Sequence, residues 1–332
     1  MIWYKDNNSD IVISTRIRLA RNLDKVPFPN ALTDKKKVLK DIKSAIVNSN
    51  STLSRELEYT DLDKAGQKKR EQLAEEHLIS PQMLQGNDKG VFISKDRTMS
   101  IMLMEEDHIR LQVIMSGNKL HEAYDTASKI DDVMEENLTY AFDENLGYLT
   151  ACPTNAGTGL RASLMMHLPA LTITKNINRV INNASSLGIA VRGLYGEGTR
   201  ADGNLYQISN QVTMGISEAQ IIEKIENIAK QIIEMEQKAR ELLNEKSNAE
   251  LSDKLWRSYG TLKYAQKIST SEAMALLSDV LLAQNMGIIK EKGKKSIPEC
   301  MVLISPAFIS NDKDLSADER DIERAKFLRA NI

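Results

Sequence analysis

The sequence predicts an α+β fold: an antiparallel β-sheet flanked by helices, followed by a smaller all-helical C-terminal domain. Three observations carry that prediction. Gly90–Ser94, Met99–Met104 and Ile109–Ser116 are apolar strand candidates in succession, joined by short polar turns, which is a meander and not a βαβ repeat. From Ser217 the character changes. Ile221, Ile225, Ile228, Ile232, Met235, Ala239 and Leu242 alternate spacings of four and three, the stripe of a long amphipathic helix packed across a sheet, with a coiled dimer seam as the alternative. Beyond Lys246 the remainder is helical, which divides the 332 residues into a domain over 1–245 and a second over 246–332.

Composition narrows the function class. With 27% charged residues and a formal charge of -2, the chain gives no reason to expect general affinity for nucleic acid or membrane. Cys152 and Cys300 make no disulfide framework and fit a reducing cytosol. The opening MIWYKDNNSD has no long apolar core, and no uncharged run approaches the length of a membrane span. A soluble cytoplasmic protein is expected.

Asp10–Ser14 reads as a short strand running into STRIRLAR, where Arg16 and Arg18 share one face when extended. They form a fork for something anionic, or a solvated basic edge strand. Asp34–Val47 and Leu62–Leu78 carry helical spacing; the second ends at HLISP, where Pro81 enforces a stop. His77 then lies at a helix C-terminus, serving the dipole or a nucleotide. MEEDHIR, residues 104–110, falls between two strands, and strand alternation should send Glu105 and Glu106 to opposite faces. In isolation that run is a polar hairpin tip. Lys119–Tyr140 reads as a helix and Gly147–Thr150 as a strand.

In CPTNAGTGLRASLMMHLP, residues 152–169, Gly157, Gly159 and Ala162 formally satisfy a dinucleotide fingerprint. It fails on context, because antiparallel strands precede it and nothing acidic occurs between Arg161 and Glu197. What remains is a Gly-rich turn running into a helix whose first turn carries Arg161, a setting for an anion. No Walker A pattern occurs; GIIKEKGKK has the wrong spacing. A helix is predicted over Ile173–Leu187 and a strand over Ile189–Leu194. RGLYGEGTRADG, residues 192–203, follows as a lid or connector, and Leu205–Gln211 is the last strand. The C-terminal helices are Glu250–Ser258, Tyr259–Ile268, Ser271–Met286, stopped by Gly287, and Ser316–Arg329.

STRIRLAR, MEEDHIR, CPTNAGTGLRAS and RGLYGE, in this order, resemble the catalytic signatures of the phosphagen (guanidino) kinases, which include the creatine and arginine kinases. The similarity covers about residues 10–245. Within the family the chain is most similar to the bacterial protein-arginine kinases. It lacks the sizeable helical domain that small-molecule members place before the STRIR-type strand, and its C-terminal part carries RDIERA, residues 320–325.

The resemblance implies an ATP-dependent kinase for protein arginine side chains, with Mg²⁺ carried by the nucleotide and no dedicated metal site on the protein. It puts Ser14, Thr15, Arg16, Ile17 and Arg18 on the nucleotide phosphates, with His77 near the nucleotide. Arg110, Arg161 and Arg192 would complete the clamp. Ala162, Ser163, Leu164 and Met165, and Gly193, Leu194, Tyr195, Gly196 and Glu197, would border the nucleotide. Glu106 and Glu197 would hold the substrate guanidinium, and either could be the base. Cys152 takes the place of the family's reactive cysteine. Tyr195 departs from the charged residue that small-molecule arginine kinases have there. Arg320, Asp321, Ile322, Glu323, Arg324 and Ala325 are similar to an allosteric phosphoarginine motif, with Arg320 and Arg324 one helical turn apart. The implied partners are a heat-shock repressor as substrate, an activator with zinc-binding motifs, a Clp unfoldase–protease that receives marked proteins under stress, and a second copy in a homodimer. The alternatives are a kinase for a small guanidine and a non-catalytic phosphoarginine-binding adaptor.

These residue types suit that chemistry. A guanidinium has a pKa near 13.8, so neutralising it at pH 7 costs about 9 kcal/mol. Carboxylates match the planar group in bidentate geometry and can take its proton as the P–N bond forms. Phosphoryl transfer is otherwise positioning and charge neutralisation, and the five arginines supply a cage in place of a Walker lysine.

Overall fold

A computed structural model of the chain describes residues 2–5, 10–49, 53–193, 202–311 and 313–332. The first strand, β1 (Val12–Arg21), takes up STRIRLAR in one run of 10 residues. Asp34 caps α1 (Lys35–Val47) by accepting the Lys37 amide at 3.1 Å. Then come α2 (Leu53–Glu56), β2 (Leu57–Asp61) and α3 (Gln67–Glu75). The helix predicted over Leu62–Leu78 is therefore too long at both ends. Gly66 takes a left-handed turn (φ 73°) before α3, and after it the amides of Leu78 and Ile79 fold back onto the Leu73 carbonyl.

The predicted meander is present as β3 (Gly90–Ser94), β4 (Met99–Leu103) and β5 (Ile109–Ser116). Helix α4 (Leu120–Glu135) stops short of Tyr140, which instead bridges to Leu23. A two-residue hairpin, β6 (Phe142–Asp143) with β7 (Gly147–Tyr148), precedes the Gly-rich segment.

That segment corrects the prediction most. It runs into a strand, β8 (Leu160–His167), not a helix. Leu160, Ala162, Leu164 and Met166 are fully buried on one side of the sheet, a period of two that the glycines obscured. Those glycines serve backbone packing. A Cβ on Gly157 would strike the Thr213 carbonyl, and one on Gly159 the Ala20 carbonyl. The helix predicted over Ile173–Leu187 is broken into α5 (Pro169–Ile173) and α6 (Ile177–Ser186) by Lys175 in the left-handed region (φ 60°). Strands β9 (Ile189–Gly193) and β10 (Leu205–Asn210) complete the sheet.

Helix α7 (Glu218–Tyr264) is one helix of 47 residues, opened by a Ser217/Gln220 capping box. It runs unbroken through residue 245 and absorbs Glu250–Ser258 and most of Tyr259–Ile268. No proline interrupts the span, and Gly260 alone is not enough to end it. After it come α8 (Thr270–Asn285), α9 (Ile297–Leu303), α10 (Pro306–Ser310) and α11 (Ala317–Asn331).

The eight-stranded sheet is antiparallel throughout, in the order β2-β3-β4-β5-β1-β8-β10-β9. β1 is thus central, not an edge. One face packs on α4 to α7, where Ile221, Ile225, Ile228 and Ile232 of the predicted stripe join the core. The other face, through Ile13, Ile114 and Leu205, shares a core with α8 and α9. Glu236 on α7 ties this frame together. Its fully buried carboxylate accepts the Ala170 and Leu171 amides at 3.0 and 2.9 Å and pairs with Arg240 at 2.9 Å. Glu236→Ala strands both amides and leaves Arg240 with Asp10 as its acidic partner. We expect a loss of about 3 kcal/mol in urea unfolding.

Candidate active site

Strand alternation builds the site. Ser14, Arg16 and Arg18 on β1 face the same way, opposite Met165, Ser163 and Arg161 of β8, while Arg192 on β9 lies across from Gln207 of β10. All eight line one cavity of about 390 Å³. Thr15, Ile17, Ala162 and Leu164 sit on the opposite face. Ile17, Ala162 and Leu164 lie in the core, and the Thr15 hydroxyl donates to the Gly117 carbonyl at 2.7 Å. Gly193 is the buried end of β9; Leu194, Tyr195, Gly196 and Glu197 lie outside the described residues.

The cavity is electrostatically unbalanced. Enclosure by protein, then the neighbouring Arg110 and Arg161 cations, push the Arg16 guanidinium down to about 10. Arg18 is held well below its usual range by enclosure and by Arg16, Arg110 and Arg161, with Glu105 the opposing charge. Arg16 donates to Gln207 Oε1 at 2.6 Å, whereas Arg18 Nε is buried without a hydrogen-bond partner among the described residues. Clustered arginines around an unsatisfied donor suit a polyanion such as a nucleotide triphosphate. His77 lines the same cavity, beyond the end of α3, with its ring 5.6 Å from that of Trp3. Enclosure and Arg16 push it down to about 3, so it is neutral at pH 7 and is no cation for a helix dipole.

MEEDHIR corrects a second expectation. It is a turn with Met104 left-handed (φ 61°), so the alternation of an extended strand does not apply. Glu105 and Glu106 converge on one guanidinium: Arg110 forms an ion pair with Glu105 at 2.7 Å and donates to Glu106 at 3.3 Å. The Glu105 side chain is fully buried and also takes the Ser80 hydroxyl. Asp107 Oδ1 accepts from Asn22 at 2.7 Å and from the Ala151 amide at 2.8 Å, which brings the Cys152 segment beside the turn. Glu106 alone of the three keeps an accessible side chain, 28% exposed. Cys152 is half-buried, its Sγ 3.0 Å from the Thr154 hydroxyl.

On α11, Arg324 is buried and donates to the carbonyls of Ile304 and Ile268 at 2.9 and 3.0 Å and to Asp321 at 2.5 Å. Arg320 donates to the Leu315 carbonyl at 2.8 Å, Glu323 pairs with Lys326, Ile322 is exposed and Ala325 is buried. The expected two-arginine fork is thus largely engaged within the fold at Arg324. Sequence reasoning missed Gln207, Gln112, Trp3 and the α8 and α9 side chains that line the cavity. Gln207 was within reach through the same alternation, two residues along from Leu205; the others needed the tertiary fold. Among the described residues, no cluster of three or more His, Cys, Asp or Glu could hold a metal, and no helix is long and apolar enough to cross a membrane.

The chain matches two family models: ATP:guanido phosphotransferase, C-terminal catalytic domain, over residues 37–239, and Protein-arginine kinase McsB C-terminal domain, over residues 248–332. It is 47% identical to a protein-arginine kinase of Caldanaerobacter subterraneus subsp. tengcongensis, over 98% of each chain. A protein-arginine kinase of Halothermothrix orenii is 46% identical over 97% of this chain and 93% of its own. Among solved structures it is similar to a lombricine kinase, with a TM-score of 0.61 and 26% identity over 70% of this chain and 68% of that one.

Proposed function

The chain belongs to the protein-arginine kinases of the ATP:guanido phosphotransferase family, and from that premise we propose how its residues carry out the transfer. Arg16, Arg18, Arg161 and Arg192 receive the phosphates of ATP, with Arg110 behind them. Glu106, together with Glu197, orients the guanidinium of a protein arginine and accepts its proton. Mg²⁺ brought by the nucleotide supplies further charge neutralisation. The observation that carries this reading is the cavity itself: arginines enclosed together, with an Arg18 donor that has no partner among the described residues.

The test incubates the protein with ATP, Mg²⁺, free arginine and an unstructured protein, and follows acid-labile phosphate. Label on protein arginine is expected. Label on free arginine alone would mark a small-molecule kinase, and no label a binding adaptor. Resemblance further supports cytoplasmic action, product-driven activation through Arg320–Ala325, a homodimer, and delivery of marked proteins, a heat-shock repressor among them, to a Clp unfoldase–protease with a zinc-binding activator.

A further inference from the structure

We propose that Asn22 is a positioning residue for the transfer: its side-chain amide fixes the turn that carries Glu106 and ties that turn to the Cys152 segment. This rests on reading Glu106 as the group that takes the substrate's proton. Asn22 follows the last residue of β1 and is 1% exposed. Its Nδ2 donates to Asp107 Oδ1 at 2.7 Å and to the Leu149 carbonyl at 3.0 Å, and its Oδ1 accepts the His108 amide at 2.9 Å. Two consecutive residues of the turn, immediately after Glu106, are thus held by the two ends of one amide. Asp107 Oδ1 passes the link on to the Ala151 amide at 2.8 Å, next to Cys152.

Glu106 needs such support, because its own side chain supplies little. Its carboxylate is 28% exposed and stands 3.3 Å from Arg110. The backbone therefore sets its place, and the backbone here is a turn closed by the Met104 amide on the His108 carbonyl at 3.0 Å. One side of that turn is anchored through Glu105 to Ser80 and Arg110. The other side has Asn22. This anchor is itself fixed: the Asn22 carbonyl accepts the Ala141 amide at 2.7 Å, and the Leu23 amide donates to His108 Nδ1 at 3.2 Å. A carboxylate and a carbonyl accept and a backbone amide donates, so the place requires two donors and an acceptor on one short side chain, which asparagine supplies. Aspartate has the same shape but would bring a second charge against Asp107, whose side chain is fully buried.

The test measures transfer to protein arginine at saturating ATP in the full chain, per folded molecule, with ATP affinity taken by calorimetry. Asn22→Asp is expected to lower kcat about 10²-fold, the cost of a displacement of about 1 Å, with ATP affinity held within about threefold. Asn22→Asp combined with Asp107→Asn restores a donor and an acceptor across the same contact, and is expected to recover at least about tenfold of that loss. In a Glu106→Gln background, Asn22→Asp is expected to cost less than about threefold, because the displaced turn no longer carries the acting group. If the aspartate prevents folding, Asn22→Ala enters the same cycle and is expected to show the same dependence on Glu106. An unchanged kcat in Asn22→Asp, equal losses in both backgrounds, or ATP affinity falling in step with kcat overturns the positioning role and leaves Glu106 as the proton acceptor. Full transfer by Glu106→Gln alone overturns the reading of Glu106, and the positioning role with it.

Discussion

Glu106→Gln is expected to lower the rate of transfer to protein arginine by about 10²–10⁴-fold, the usual worth of a positioned acid–base group, while ATP affinity holds within about threefold. Three acids surround Arg110, but two of them are spoken for. Glu105 is fully buried against Arg110 and Ser80, and Asp107 against Asn22 and the Ala151 amide. Only Glu106 can be presented to an incoming substrate, and its departure leaves Arg110 paired with Glu105 at 2.7 Å. Glutamine keeps the shape and one acceptor oxygen but loses the charge that favours proton release from a group with a pKa near 13.8. Radiolabel transfer gives the rate, and calorimetric titration of ATP gives the affinity. If affinity falls in step with rate, Glu106 supports the nucleotide and not the acceptor. Glu197→Gln should show the same split.

The contrast between Glu106 and β8 explains what could be read before the fold was known. Short polar turns between apolar runs fixed β3 to β5 almost to the residue, because hairpin pairing is local. Arg16 and Arg18 were placed on one face for the same reason. The local signal misleads where glycines serve close packing: Gly157 and Gly159 have the pattern of a phosphate loop opening a helix, and they mask the strand alternation of Leu160, Ala162, Leu164 and Met166. Met104 was illegible in another way. A left-handed methionine is uncommon, and without it Glu105 and Glu106 cannot turn to one guanidinium. The α8 and α9 side chains that line the cavity lie 82 residues or more from the arginines in sequence (Met274 against Arg192), so no window on the chain joins them.

The arginine cavity should also be a place where stability has been given up for function, and Arg18→Met tests this. Arg18 is enclosed with like charges and has a buried donor without a partner among the described residues. Replacing a poorly compensated buried charge by an apolar side chain of similar length commonly stabilises a protein. Here about 1–2 kcal/mol is expected for the ligand-free chain, below the figure for a dry site because the open cavity screens the charges. Removing Arg18 also relieves Arg16, whose guanidinium it crowds. The same change should cut transfer by about 10³–10⁵-fold, since one arginine on the transferring phosphoryl group is worth that much. Added ATP raises wild-type stability in proportion to the logarithm of its concentration over Kd, so the order should reverse: the variant melts higher without nucleotide, and wild type melts higher with it. A ligand-free variant that melts below wild type would mean that Arg18 is held by favourable contacts, and the cavity would then be an ordinary structural ion network with no charge waiting for a substrate.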